Sequence, residues 1–373
     1  MPFAPLLSAL EGIPDPRRPQ GTRYPLAHLL LFSVLAVLAG ATSYRGIVTF
    51  LAVHRDRLGH VYGVRLRRAP AVNTLRNLFL VLDPQALEAA FRRHARQLLG
   101  GGRPDGPHAA VALDGKTLRR SFDRPHDRAA AHVLGAFAAA AALILGHQGV
   151  PDVPAEVEAV RAMIRDLGLR GVIVTVDALH SVKKSFASAA RTGGALLARV
   201  KANQPGLHKA AVALCARRAP VDEGLTTDRN RRSRHEERRV EVFAPTPADL
   251  PPGWREHIAA VARVTRRTWH RNAGTGLWWR REEVAYYACQ VRLDASTFGR
   301  LVRGHWGVEN RSHHVRDRIL REDDSRIRTK PGVFARLRSF ALNLLRANGA
   351  TNVSEALYTH ALSLDRPLAL GAR

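Results

Sequence analysis

The stretch that decides the fold runs from Gly171 to Lys201. It opens with Gly171-Val172-Ile173-Val174-Thr175-Val176-Asp177, continues through Ser181 to Arg191, and closes with Leu196 to Lys201. The first piece is almost continuously apolar, the pattern of a strand buried on both faces. The second has helical spacing and meets Gly193-Gly194, a helix stop. The third is strand-like again. Strand, helix and strand make a βαβ unit, with parallel pairing and a right-handed crossover. An earlier run, Ala110-Val111-Ala112-Leu113-Asp114-Gly115-Lys116, repeats the first piece: an apolar strand that ends in an aspartate. Sheets of this class bind ligands at the carboxyl ends of their strands, where Asp114 and Asp177 are expected. Each aspartate also has a local explanation, an Asx turn before Gly115 and a cap on the following helix.

Upstream, residues 1 to about 104 read as a helical domain. Ile13-Pro14-Asp15-Pro16-Arg17-Arg18 forms a rigid basic turn after the apolar patch Leu6 to Leu10. Leu26 to Gly40 is apolar but shorter than the roughly 20 residues of a membrane span. The prolines before it do not suit a signal peptide, so a buried helix is expected. Tyr44 to Val53 and Thr74 to Leu82 are amphipathic, and Asp83-Pro84 opens a helix over Gln85 to Leu99. Gly100 to Pro104 reads as a linker. Downstream, Glu156 to Leu167 is helical. Ala129 to Gly146 is ambiguous: alanine propensity favours a helix, while its place after the first strand suits strand–turn–strand. Residues 206 to 298 read as β-rich, with alternation in Arg239 to Phe243 and His257 to Val264, an extended Trp278 to Tyr287, and an arginine-dense loop at Arg229 to Arg234. Phe298 to Arg346 reads as helical with a break near Lys330-Pro331-Gly332, followed by a tail over 346–373.

Charge narrows the partners. The 373 residues carry 58 basic against 32 acidic side chains, a formal charge of +26. Such an excess needs a polyanion or suffers self-repulsion. Only six of the basic residues are lysine, and a genomic preference for arginine accounts for that choice but not for the excess. Nucleic acid is the expected partner, with no membrane. Cys215 and Cys289 form no Cys-x-x-Cys pair, so neither a thiolate zinc site nor a disulfide framework is expected, and a reduced, cytoplasmic compartment fits.

Two or three converging carboxylates can hold a pair of magnesium ions about 4 Å apart, the arrangement that cuts and joins phosphodiesters. Asp114 and Asp177 supply two. Candidates for the third lie in the tail, where Glu309, His313 and Asp317 recur every fourth residue with His305 one turn earlier. A solvated polar stripe explains such spacing equally well. Glu322, Asp323 and Asp324 compete for the role. There is no His-Glu-x-x-His, which weakens a zinc hydrolase. The candidate DNA contacts are Lys116, Lys201, Arg303, Trp306, Asn310 and Arg316, with Trp278, Trp279, Arg311 and Arg318 as further surface candidates.

In their order these pieces resemble the DDE insertion-sequence transposases, of the subgroup that includes the H-repeat-associated proteins. The resemblance is carried by Ile13 to Arg18, Leu35 to Gly40 and Ser43 to Ile47. In the centre it rests on Asp114-Gly115-Lys116-Thr117-Leu118-Arg119, Thr175-Val176-Asp177-Ala178-Leu179-His180 and Val200 to Pro205. In the tail it rests on His305-Trp306-Gly307-Val308-Glu309-Asn310, Arg321 to Arg328 and Ala341 to Leu345. It implies an α/β fold, a ribonuclease H-like mixed sheet flanked by helices, with a β-rich insertion at about 206–298 and an N-terminal helical domain over 1–104 that helps bind DNA ends. The catalytic domain would span 105–345, and Ala129 to Gly146 would be a hairpin. The implied triad is Asp114, Asp177 and Glu309, binding Mg2+ with Mn2+ able to substitute. The implied partners are DNA, as terminal inverted repeats and target, and further copies of the chain assembled on it at the bacterial nucleoid. Where related transposases often carry Tyr-x-x-Arg-x-x-x-Glu-x-x-x-x-x-x-Lys, this chain has Val302, His305 and Arg316 around Glu309. Where the subgroup carries Lys-Ser-Asn-Glu it has Val153-Pro154-Ala155-Glu156. A nuclease on the same core and a non-catalytic DNA-binding descendant are the other classes open at this stage.

Overall fold

The computed structural model describes residues 1–19, 22–100, 108–122, 129–230, 234–272 and 274–372. Five helices come first: α1 (Ala4–Glu11), α2 (Leu26–Leu38), α3 (Tyr44–Tyr62), α4 (Val72–Val81) and α5 (Pro84–Leu98). Strands β1 (Ala110–Thr117), β2 (His132–Ala138) and β3 (Leu143–Val150) follow, then α6 (Val153–Leu167), β4 (Ile173–Val176), α7 (Lys183–Arg191), β5 (Ala195–Val200) and α8 (Pro205–Arg217). Next come β6 (Asp222–Asn230), β7 (Arg234–Phe243), β8 (Ala260–Arg271) and β9 (Trp278–Cys289), and last α9 (Ala295–Val308), α10 (Pro331–Ala347), α11 (Val353–Leu362) and α12 (Asp365–Ala369). The fold is mixed α/β, with nine strands in a mixed sheet flanked by helices. Two compact units share the chain: a helical unit of Met1–Pro104, Gly115–Val153 and Val308–Arg373, and a strand-rich unit of Asp105–Asp114 and Pro154–Gly307. The first crossing between the units falls at Pro104–Asp105, and the others at Asp114–Gly115, Val153–Pro154 and Gly307–Val308; the linker expected there lies, beyond Gly100, outside the described residues.

In the strand-rich unit the βαβ reading holds. β4 pairs in parallel with β5, from Ile173↔Ala195 to Val176↔Ala198, and α7 crosses between them. The helix closes at Gly193, whose φ of +73° costs glycine little. β1 joins the other side of β4, also in parallel, with Ala110↔Ile173 and Ala112↔Thr175. β9 pairs antiparallel with β5, Leu197 opposite Cys289, and β8, β7 and β6 continue as an antiparallel meander. The base of the meander is apolar, and Val240, Val242, Ala262 and Val264 pack with Phe298, Leu301 and Val302 of α9. Two expectations are corrected here. Residues 205–217 are helical rather than extended, because Leu207, Ala211, Leu214 and Cys215 fall on one helical face and bury together. The arginine-dense loop is shorter than read, since Arg229 and Asn230 end β6 and Arg234 begins β7; 231–233 lie outside the described residues.

In the helical unit α2 is buried along all but one of its residues, His28, as its unbroken apolar run requires. Among the described residues no helix is long and apolar enough to cross a membrane. Residues 132–150 form a hairpin, and the alanine-rich run is not a helix. The turn passes through Ala142 at φ +58°. Asn343 of α10 binds both the amide and the carbonyl of Ile144, at 2.8 and 2.7 Å. Burial of Phe137, Leu143 and Ile144 outweighs local propensity. Buried Glu88 ties three elements together: its carboxylate accepts from the His147 amide at 2.6 Å, from Arg336 Nε at 2.7 Å and from Arg92 Nε at 3.0 Å. Burial opposes its charge, but His147 and Arg336 outweigh it and hold the carboxyl down to about 2. The break expected near Lys330 spans residues 320–330, and Pro331 opens α10 as its first residue.

His94 of α5 gives this unit an acid sensitivity. The ring is 3 % exposed, its centroid 5.8 Å from that of Phe340, and burial pushes its pKa from 6.5 to about 4. Below pH 6.5 the unfolded chain takes up a proton that the folded chain refuses until about pH 4. Stability is thus intact above 6.5 and falls as pH drops towards 4, by about 1.4 kcal/mol per pH unit for this one group. Urea denaturation of His94→Leu at pH 7 and pH 5 should show a smaller loss on acidification than the unsubstituted chain.

Candidate active site

The parallel register of β1 and β4 places the two candidate aspartates. Ala112 lies beside Thr175, and two residues further along each strand come Asp114 and Asp177. The strand-rich unit therefore carries both aspartates at one level, on the sheet face that Thr175 shares. Asp177 lies just past the end of β4, but the strand end expected at Asp114 is corrected, because β1 runs on to Thr117. Thr175 Oγ1 and His305 Nδ1 of α9 are hydrogen-bonded at 3.1 Å, which identifies that face as the one α9 covers. Burial lowers the His305 pKa to about 4, against the pull of the Asp177 charge, and leaves the ring neutral.

Asp114 is half-buried, while the Asp177 side chain is 54 % exposed. Asp177 also plays its local part: Oδ1 accepts from the Leu179 amide at 2.9 Å and caps a short 3-10 turn, Ala178–His180. His180 is buried, with Nε2 at 3.0 Å from Glu156 Oε1 and 3.8 Å from Asp177 Oδ1. Asn203 Nδ2 donates to the Ala178 carbonyl at 2.6 Å. The turn that presents Asp177 is thus clamped by Glu156 and Asn203. Neither was singled out from sequence as a clamp; the traces were Glu156, Asn203 and the Asp-x-x-His spacing, each inside a quoted motif. On the same unit Lys201 is exposed just past β5, Arg303 lies 3.9 Å from Asp228, and Trp306 is exposed on α9. Trp278 and Trp279 are exposed at the start of β9, with Trp279 stacked on His270 at 4.5 Å.

The helical unit carries the candidate acids of the tail. After Val308 the helix widens into two π turns, Glu309–His313 and Val315–Ile319. Such widening re-aims side chains relative to a regular helix. The Glu309 side chain is 63 % exposed, and His313 Nδ1 lies 3.5 Å from its Oε2. Asn310 beside it is exposed, and Arg311 donates to the Ala139 carbonyl at 2.7 Å. The other acids are engaged internally. Asp317 pairs with Lys116, and Glu322 binds Arg316 at 2.9 Å with Arg338 at 4.0 Å. Asp323 lies 3.6 Å from Arg119, and Asp324 lies 3.0 Å from Arg321. Burial opposes the Glu322 charge, yet Arg316, Arg338 and Lys116 keep its pKa below the usual range.

This corrects two expected DNA contacts. Lys116 is 7 % exposed and Arg316 3 %, and they spend their charge on half-buried Asp317 and buried Glu322 respectively. Their place is in the framework under the tail segment rather than on a phosphate.

A family model described as "Transposase DDE domain" matches residues 105–345, and one described as "DDE_Tnp_1-associated" matches residues 7–95. The chain belongs to the transposase DDE domain family. As a member of that family it is 27 % identical to the "H repeat-associated putative transposase YhhI" of Escherichia coli K12 over 365 residues, covering 92 % of this chain and 91 % of that one. It is 28 % identical to the "Putative protein YbfL" of the same strain, with the same coverage, and 28 % identical to the "Putative transposase YncI" of Escherichia coli O157:H7, covering 93 % and 88 %. The expected relation to the H-repeat-associated proteins is borne out. A piggyBac transposase synaptic complex with hairpin DNA aligns over 97 % of this chain and 80 % of its own, at 11 % identity and a TM-score of 0.44. Asp114 and Asp177 in the strand-rich unit, and Glu309 in the helical unit, each offer carboxylate oxygens, the donor type that suits magnesium or manganese, and His313 adds a nitrogen beside Glu309.

Proposed function

We propose that this chain is a DNA transposase that cleaves the ends of an insertion sequence and joins the freed 3′-hydroxyl to target DNA, on a ribonuclease H-like core. The observation that carries the proposal is the β1–β4 register, which sets Asp114 beside Asp177 in a chain whose residues 105–345 match the transposase DDE model. Asp114, Asp177 and Glu309 would hold two magnesium ions, with manganese able to replace them. When bound, the ions activate the attacking oxygen and stabilise the leaving one in an in-line displacement.

The protein's own residues do the positioning. The Leu179 amide and the Glu156–His180 pair fix the Asp177 turn, so one carboxylate oxygen is held and the other is left for a ligand. Lys201, Arg303, Trp306 and Asn310 are exposed or partly exposed, and we assign them to the DNA backbone and to unstacked bases. The exposed arginines of the β6–β9 meander extend that contact. Because two ends must be brought together, the working form is a homo-oligomer on DNA.

The test is product analysis on labelled duplex taken from the flanks of the coding locus, with Mg2+, with Mn2+ and with chelator. The expected result is strand cleavage followed by joined product in either metal, and neither with chelator. Cutting without joining would make the chain a nuclease. If no strand is cut under any condition, the enzyme reading fails and a non-catalytic DNA-binding role takes its place.

A further inference from the structure

The helical unit contains a cleft of about 720 Å³ that the chemistry above does not use. It opens between the start of α3, the middle of α4 and the segment Asp324–Thr329. Arg76, Arg326 and Arg328 line it together with the hydroxyl residues Ser43 and Ser325. All three arginines are exposed, and Arg326 and Arg328 flank half-buried Ile327. The acid in the lining, Asp324, lies 3.0 Å from Arg321 and 3.8 Å from Arg120, so the arginines dominate the wall.

This wall is held from behind. Arg338 donates to the Leu320 carbonyl at 3.1 Å and to the Thr42 carbonyl at 3.4 Å, one residue before Ser43. Lys330 Nζ donates to the Leu82 carbonyl at 3.0 Å, just past α4. Both ends of the 320–330 segment are therefore tied to the helices that form the opposite wall. A fixed groove with guanidinium groups on both sides loses little entropy when it meets an anion. Guanidinium suits phosphate oxygens through paired hydrogen bonds. Three such groups along one groove exceed what a single phosphodiester charge neutralises, which favours several successive phosphates.

We propose that this cleft binds the phosphate backbone of DNA, as a contact separate in sequence from the Asp114, Asp177 and Glu309 set; the proposal rests on the transposase reading above. The cleft joins residues 42–80 to residues 324–329, so it draws on both the segment matched as DDE_Tnp_1-associated and the end of the DDE domain.

The experiment measures binding of labelled duplex DNA to the full chain by fluorescence anisotropy across a salt series. For the Arg76→Ser/Arg326→Ser/Arg328→Ser variant, the slope of log K against log salt should shrink by about 2.7, roughly 0.9 for each lost contact. The corresponding triple lysine variant should keep the wild-type slope. If the serine variant does not fold, Arg326→Ser alone should lower the slope by about 0.9. An unchanged slope in folded serine variants overturns the cleft while leaving the transposase reading standing. Absence of salt-dependent binding by the wild type overturns both. A parallel arm uses inorganic pyrophosphate: if it raises the thermal stability of the wild type but not of the serine variant, while the DNA slope is unchanged, the cleft takes a small phosphate and the DNA assignment fails.

Discussion

Asp177→Asn is expected to lower DNA strand cleavage by about a thousandfold or more, the rate equivalent of several kcal/mol of lost metal-ligand stabilisation. The fold should not suffer. The Asp177 side chain is 54 % exposed, and its local task is to accept the Leu179 amide at 2.9 Å. Asparagine caps a helical turn about as well as aspartate, so the turn stays in place while the charge disappears. Asp177→Ala loses the cap as well, at a cost of about 1 kcal/mol. The comparison of the two separates a structural aspartate from a ligand. A merely structural Asp177 gives an active asparagine variant and a weakened alanine one. A ligand gives two inactive proteins, the asparagine one with a near-wild-type urea midpoint and the alanine one lowered only by the lost cap. Cleavage by Asp177→Asn at close to the wild-type rate would remove Asp177 from the triad.

The second large effect distinguishes the acids of the tail. Glu322→Ala leaves Arg316 and Arg338, which are 3 % and 2 % exposed, without the carboxylate they share. Stranding buried cations in this way costs about 3–5 kcal/mol. For a unit of this size that lowers the melting temperature by about 10 °C. Glu309→Ala removes a side chain that is 63 % exposed and should leave the melting temperature nearly unchanged while abolishing cleavage. Thermal melts and the cleavage assay on the two variants therefore give opposite patterns. If Glu309→Ala cuts normally, the third ligand lies elsewhere.

What the sequence disclosed follows from the range of the interactions involved. The βαβ unit was legible because Val172 to Val176 is apolar throughout and α7 ends at a glycine pair, both local signals. Asp177 could be placed at a strand end for the same reason, whereas β1 continues past Asp114 to Thr117, and the common level of the two depends on the β1–β4 register, which joins residues about sixty positions apart. The hairpin of β2 and β3 was ambiguous from residues alone, propensity pointing to a helix and position to strand–turn–strand. Its alanines favour a helix locally, and the bonds from Asn343 to Ile144 come from 199 residues away. Lys116 and Arg316 were misassigned because sequence shows a charge and not its surroundings. The Glu156–His180 pair bridges 24 residues and left only a spacing to notice. The third carboxylate was the hardest choice, since Glu309, Asp317 and Glu322 differ by burial and partner rather than by pattern.

The pairing of β9 against β5 carries a consequence for how such a protein can change over time. β5 contributes an apolar strand, Ala195–Val200, that is zipped to β4 on one side and to β9 on the other. A lineage that dropped the meander cleanly would uncover that second side, and a bare apolar strand edge recruits other chains into aggregates. The meander is therefore a cover for the strand it pairs with. Its arginine-bearing outer half is free to diversify, whereas its last strand is bound to persist.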